Sequence, residues 1–158
     1  MPDVAVQDLY PEDVAHCYGC GRLNDDGLHV RTHWAGGEGL ARFTPRPEHV
    51  AIPGYVYGGL LASLIDCHAV GTAAAAAMEA AGEVPGRDPS PRFVTASLHV
   101  DFRRPTPLGG ELVLRAVPTE VGDRKVRVRV EVEAAGEVTV RGDVVAVRMP
   151  ESLRAGGS

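Results

Sequence analysis

Asp66 is the one carboxylate in a long apolar stretch: from Leu60 to Met78 the only ionisable groups are Asp66, Cys67 and His68. A carboxyl group that ionises near pH 4 in water is costly to bury without partners, so its placement needs a reason. Two reasons fit. Asp66 accepts hydrogen bonds across a subunit contact, or it works as a base or nucleophile. Just upstream runs Pro53-Gly54-Tyr55-Val56-Tyr57-Gly58-Gly59. A helix beginning there has no Ser, Thr, Asp or Asn to accept its first N–H groups. Gly58 and Gly59 allow close approach to those bare amides, which, with the positive end of the helix dipole, suit a developing oxyanion. The other reading of the pair is tight helix packing through glycine. Gly59 and Asp66 are two turns apart on one face, so cradle and carboxylate line a groove about 10 Å long.

Other reactive residues are spaced less informatively. His16-Cys17-x-x-Cys20-Gly21 is half of a zinc site. A structural zinc needs four ligands and there is no second cysteine pair, although His29 and His33 are available to complete the set. The expectation is that these residues pack an N-terminal turn and that no metal is bound. Cys67 is expected to be an inert thiol whose apolar surroundings raise its pKa. His68 falls on the leucine side of the helix and is expected to be a hydrogen-bonded core histidine. His49 and His99 carry no spacing signal. Arg103-Arg104 and Arg124-Lys125 lie at a strand end and in a hairpin, where they suit either phosphate contacts or solvated edge charge.

The elements that must position these groups follow from periodicity. Leu28 to Trp34 and Leu40 to Phe43, separated by Gly36-Gly37-Glu38-Gly39, predict a hairpin. Tyr57 to Ala81 contains no proline, is rich in Ala and Leu, and stops at Gly82, so it predicts a long helix. On a helical wheel Leu60, Leu61, Leu64, Ile65 and His68 share the face expected to press on a sheet. Gly59, Ala62, Ser63, Asp66, Ala69, Val70 and Ala73 form a second face of small residues. After a loop of breakers the chain turns to valine. Val126, Val128, Val130 and Val132 alternate with charged residues in a half-exposed strand, flanked by strands near Phe93 to Arg103, Glu111 to Val121 and Glu137 to Met149. Hairpin-length connections join them. The layout is α+β: a curved antiparallel sheet against one apolar helix. Residues 1–26 read as a polar, irregular N-terminal arm, 27–150 as a single domain, and 151–158 as a disordered tail.

Composition limits the possibilities. The 158 residues are 44% hydrophobic but only 5% aromatic, enough for one core and one domain. A net charge of -5 lacks the basic footprint of a nucleic-acid binder. The N-terminal stretch has no basic start followed by an apolar run, and three cysteines make no disulfide framework, so a cytoplasmic location is expected. The apolar segment matches a membrane span in length, yet Asp66 near its middle favours a buried helix. No phosphate loop or dinucleotide fingerprint is present.

Gly54-Tyr55-Val56-Tyr57-Gly58-Gly59, Leu64-Ile65-Asp66 and Thr95-Ala96-Ser97-Leu98-His99-Val100-Asp101-Phe102-Arg103-Arg104-Pro105 resemble the hotdog-fold acyl-CoA thioesterases, in the branch of the phenylacetate-pathway and 4-hydroxybenzoyl-CoA enzymes. The resemblance covers roughly residues 17 to 149. It implies a hotdog fold, a sheet wrapped around one central helix. It also implies an active site between two subunits of a homodimer or homotetramer. In this family a backbone N–H at the first glycine of a His-Gly-Gly motif polarises the thioester carbonyl, and a carboxylate eight residues later is nucleophile or general base. Those roles map to Gly58 and Asp66, with Gly59 beside the first. A Ser or Thr on the strand after the helix maps to Thr95, expected to act on the partner's Asp66. The family histidine is Tyr57 here, which still donates a hydrogen bond, and an asparagine three residues before Gly54 is Ala51, which cannot. Arg103, Arg104, Arg124 and Lys125 become candidates for the phosphates of coenzyme A.

The expected activity is hydrolysis of a small or medium acyl-CoA without a cofactor, with Thr95 and Tyr57 assisting Asp66. A non-catalytic acyl-CoA binding protein on the same scaffold is the alternative. A hydratase or dehydratase, which in hotdog proteins usually relies on an active-site histidine, is the third reading.

Overall fold

The computed structural model describes residues 4–154. Six strands form one antiparallel sheet: β1 (His33–Ala35), β2 (Glu38–Phe43), β3 (Phe93–Phe102), β4 (Leu112–Val121), β5 (Lys125–Ala134) and β6 (Glu137–Arg148). Their order across the sheet is β1-β2-β4-β5-β6-β3. A single long helix, α1 (Gly58–Ala80), packs on the concave side against β2 through β6. This is the hotdog arrangement expected from the sequence.

The valine alternation places the sheet. Val126, Val128, Val130 and Val132 are all buried, while Arg127 and Arg129 on the other face form ion pairs with Glu120 and Asp143. Facing them are Leu64 and Ile65 of α1, both fully buried. The helix comes so close to β6 that a Cβ on Gly142 would lie 2.5 Å from Ile65 Cγ2. At its other end α1 stops at Gly82, whose φ of 80° suits glycine. The amides of Gly82 and Glu83 bond back to the carbonyls of Glu79 and Met78, closing the last turn. By length and composition α1 would cross a membrane, but most of its apolar window is enclosed by the protein.

Several expectations are corrected. The predicted first strand begins only at His33, because residues 28–32 bond to the N-terminal arm instead. Leu28 and Val30 amides donate to the carbonyls of Tyr18 and Gly19, and the Val6 amide to that of Thr32. The hairpin turn narrows to Gly36-Gly37, whose φ values of 62° and 80° make a two-residue turn, so Glu38 and Gly39 join β2. The arm is closely packed: Ala5, Val6, Gln7, Tyr10, Ala15 and Cys20 are buried. It lies on α1, and Ala69, Val70 and Ala73 of the predicted small-residue face are also buried, so that face is open only near Gly59, Ala62, Ser63 and Asp66. Of the predicted tail, Glu151–Leu153 forms a 3-10 turn and Arg154 pairs with both carboxylate oxygens of Asp13. Residues 155–158 lie outside the described residues.

Candidate active site

The N-terminus of α1 is bare. Tyr57 is the cap residue in extended backbone (φ -60°, ψ 129°), and no side chain caps the helix. The Tyr57 carbonyl accepts from the amides of Leu60 and Leu61, while those of Gly58 and Gly59 have no acceptor among the described residues. The two glycines face different surroundings. A Cβ on Gly58 would sit 3.4 Å from the Phe102 ring; one on Gly59 would be 2.6 Å from the ring of Tyr57, which therefore lies over that residue.

Gly58 lies on a cavity of about 590 Å³ with Tyr55, Leu61, Phe102, Arg103 and Arg104. Its wall is apolar and aromatic at one side and cationic at the other. Arg104 is paired with Glu137 at 2.9 Å; the Arg103 guanidinium has no ion-pair partner among the described residues. Gly59 lies on a smaller cavity of about 250 Å³ with Tyr18, His49, Tyr57 and Ser63. His49 Nδ1 accepts from the Arg46 amide at 2.9 Å, which puts the proton of the neutral ring on Nε2. Partial burial and the nearby Arg46 charge hold its pKa below the ordinary value.

Asp66 is half-buried two turns along the helix, where it accepts a hydrogen bond from the Thr95 hydroxyl of β3. The pairing is within one chain, not across a subunit contact. It occurs because β3 runs beside α1 and bulges between Thr95 and Ser97. Asp66 does not line either cavity at the helix N-terminus. Eight residues of helix separate it from Gly58 by about 12 Å, so within one chain the two cannot meet on one carbonyl group.

The remaining candidates divide. Arg124 and Lys125 belong to the β4–β5 hairpin, whose Gly122 and Asp123 lie by Ala77, Ala80 and Ala81 at the C-terminal end of α1. That end is roughly 30 Å from Gly58, so these two are not brought together with Arg103 and Arg104. His29 and His33 line a separate cavity with Arg31 and Arg42 and do not join the cysteines. Instead Cys67 reaches the Cys17–Cys20 turn, its sulfur 3.8 Å from that of Cys17. Its thiol pKa is raised as expected, first by hydrogen bonding with Cys17 and Cys20 and then by burial; the same contacts hold that of Cys17 down. His68 is the core histidine foreseen. Its Nε2 donates to the Gly39 carbonyl, and Nδ1 accepts from Thr32, whose oxygen in turn accepts from Gln7. His49 and Tyr18 went unrecognised in the sequence, since only the tertiary fold carries them to Gly59.

The family model of the thioesterase superfamily matches residues 53–141, a span that includes the bare helix start, Asp66 and Thr95. Among solved structures, a thioesterase superfamily protein from Shewanella loihica is 45% identical, with a TM-score of 0.67 over 85% of this chain and 95% of the other. A mutant phenylacetic acid degradation protein PaaI from Thermus thermophilus is 27% identical, with a TM-score of 0.58 over 77% and 95%. The PaaI protein of E. coli, 16% identical with a TM-score of 0.63 over 78% and 81%, shares the fold. No curated protein matches the chain. With the family model matching more than half of the chain and a 45% identical solved relative sharing the fold, the chain belongs to the thioesterase superfamily of hotdog-fold thioester hydrolases.

Proposed function

We propose that the protein hydrolyses a small or medium acyl-CoA at a site shared by two subunits of a homo-oligomer. The observation that carries this reading is the separation between the free Gly58 amide and the Asp66–Thr95 pair, too long for one chain to span across one thioester. The unpaired edge of β3 supplies a way to close it. This strand ends the sheet, and along it Leu98 and Phe102 are 41% and 55% exposed. An open edge of ten residues invites pairing with another chain. If β3 pairs antiparallel with its copy so that Thr95 opposes Phe102 of the partner subunit, the two-fold axis falls near His99, because the bulge takes up one residue between Thr95 and Ser97. Phe102 lies against Gly58 and Thr95 holds Asp66, so this register brings the helix start of one subunit to the carboxylate of the other.

The chemistry then follows. The Gly58 and Gly59 amides donate hydrogen bonds to the carbonyl oxygen as negative charge develops on it. The Asp66 carboxylate, oriented by Thr95, takes a proton from an attacking water or adds to the carbonyl itself, and the thiolate of coenzyme A leaves and is protonated; in the second case water then cleaves the acyl–Asp66 anhydride to release the acid and restore the carboxylate. Tyr57 is positioned to donate a hydrogen bond beside Gly59. Arg103 and Arg104 meet the phosphates, while Leu61, Tyr55 and Phe102 offer apolar contact. Three free thiols suit a reducing, cytoplasmic setting.

The Tyr57 ring over Gly59 favours a second reading, a non-catalytic acyl-CoA binder. Thiol release over a panel of aliphatic and aromatic acyl-CoAs separates the two. Turnover by the wild type that is lost in a folded Asp66→Ala variant supports hydrolysis; a ligand-raised melting temperature without thiol release supports binding alone.

A further inference from the structure

The sulfur atoms of Cys17, Cys20 and Cys67 converge from two separate parts of the chain. All three lie within 4.8 Å of one another, and none is in a disulfide. The 3.8 Å between Cys17 and Cys67 is nearly twice an S–S bond length, and it matches the roughly 3.8 Å between two thiolates that sit 2.3 Å from one tetrahedral zinc ion.

The surroundings are shaped for these sulfurs. A Cβ on Gly19 would fall 2.2 Å from Cys67 Sγ, so glycine between the first two cysteines is what lets the third enter the turn. The Gly19 amide points at Cys17 Sγ at 3.3 Å, an N–H to sulfur contact that stabilises a charged thiolate. Close by is the hydroxyl of Tyr10, which is 2% exposed and has no hydrogen-bond partner among the described residues. The Arg92 guanidinium stacks on the Tyr10 ring at 4.9 Å.

We propose that Cys17, Cys20 and Cys67 form a binding site for a single thiophilic cation, Zn²⁺, that fastens the N-terminal arm to the central helix. Each thiol gives up its proton to solvent as its sulfur coordinates, with no change in oxidation state. Water, reaching the cluster past half-buried Cys17, takes the fourth position. Such a site would depart from the expectation of an unmetallated cysteine pair, its third ligand coming from α1 and not from His29 or His33. The site also bears on the candidate active site: Cys67 directly follows Asp66, and Tyr18, within the Cys17–Cys20 turn, lines the cavity at Gly59.

Anaerobic titration of the reduced, full-length protein with Co²⁺ tests this without an activity assay. One equivalent should give sulfur-to-cobalt charge-transfer bands with intense tetrahedral d–d bands, bleached by stoichiometric Zn²⁺ and absent from Cys17→Ala and Cys67→Ala. His29→Ala should retain them. Reduced wild type with three titratable thiols and no such bands would overturn the proposal, as would unchanged bands in a folded Cys67→Ala variant. The wild-type titration decides the matter even if a variant does not fold.

Discussion

Gly58 and Asp66 stand eight residues apart on one helix, and its rise alone separates them by about 12 Å. One offers an unpaired amide at the positive end of the helix, the other a carboxylate held by Thr95. Neither arrangement is costly in its own chain, since the amide faces a cavity and the carboxylate has a donor. Their separation makes a shared site the economical explanation.

The Gly58 amide can be removed with little disturbance. Proline is favoured at the first position of a helix, and Tyr57 already has the extended backbone that a following proline requires. Gly58→Pro should leave the melting temperature within a few degrees of wild type. It should lower kcat by roughly 100- to 1,000-fold, the usual cost of losing one oxyanion donor. Steady-state thiol release beside thermal unfolding checks both parts.

Thr95 is a positioning residue. Thr95→Val removes the hydrogen bond to Asp66 at constant shape, and kcat should fall roughly tenfold or more while KM changes little. Thr95→Ser should restore most of the rate. Full activity in Thr95→Val with loss in Thr95→Ser would mean that the methyl group, not the hydroxyl, matters.

The β3 edge should be sensitive to charge. In the register that opposes Thr95 to Phe102 of the partner subunit, a lysine at position 98 lies close to the two-fold axis, on the same face as its own copy. Leu98→Lys should therefore shift the protein toward monomer by size-exclusion chromatography with light scattering and reduce thiol release in proportion. An unshifted oligomer with full activity would remove β3 from the interface.

His68 supplies a pH signature of stability. Complete burial pushes its pKa down to about 4 from the ordinary 6.5. In the unfolded chain it therefore takes up a proton at a higher pH than in the folded one. Its contribution is fully present above pH 6.5 and is lost as pH falls toward 4, on the order of 3 kcal/mol over the window. Denaturant unfolding of wild type and His68→Gln from pH 7 to 4 should show a shallower slope for the variant.

The elements that carry the core were readable from local pattern. The alternation from Val126 to Val132 needs only its own residues to define a buried face, and Gly82 ends the helix by a backbone preference. What could not be read depends on chain path. Cys67 lies 50 residues from Cys17, and nothing in either neighbourhood says that the arm folds back onto the helix. The truncated first strand has the same origin: residues 28–32 are apolar enough for a strand, but their amides are taken by the arm. In the candidate site, Gly58, Asp66 and Thr95 were identified from residue type and resemblance. The Thr95–Asp66 pairing within one chain was not, because it arises through a β-bulge that no spacing announces. Arg124 and Lys125 resemble Arg103 and Arg104 in composition, and only the length of α1 shows that the pairs are far apart.

Subunit complementation tests the shared site most directly. Asp66→Ala and Gly58→Pro each disable both sites of a homodimer, but a mixed dimer has one site with both lesions and one with neither. Co-expressed and isolated with two different tags, the mixed dimer should recover about half of wild-type thiol release per dimer, as an additive count of intact sites requires. A mixed dimer as inactive as its two parents would contradict the account and return the whole reaction to a single chain.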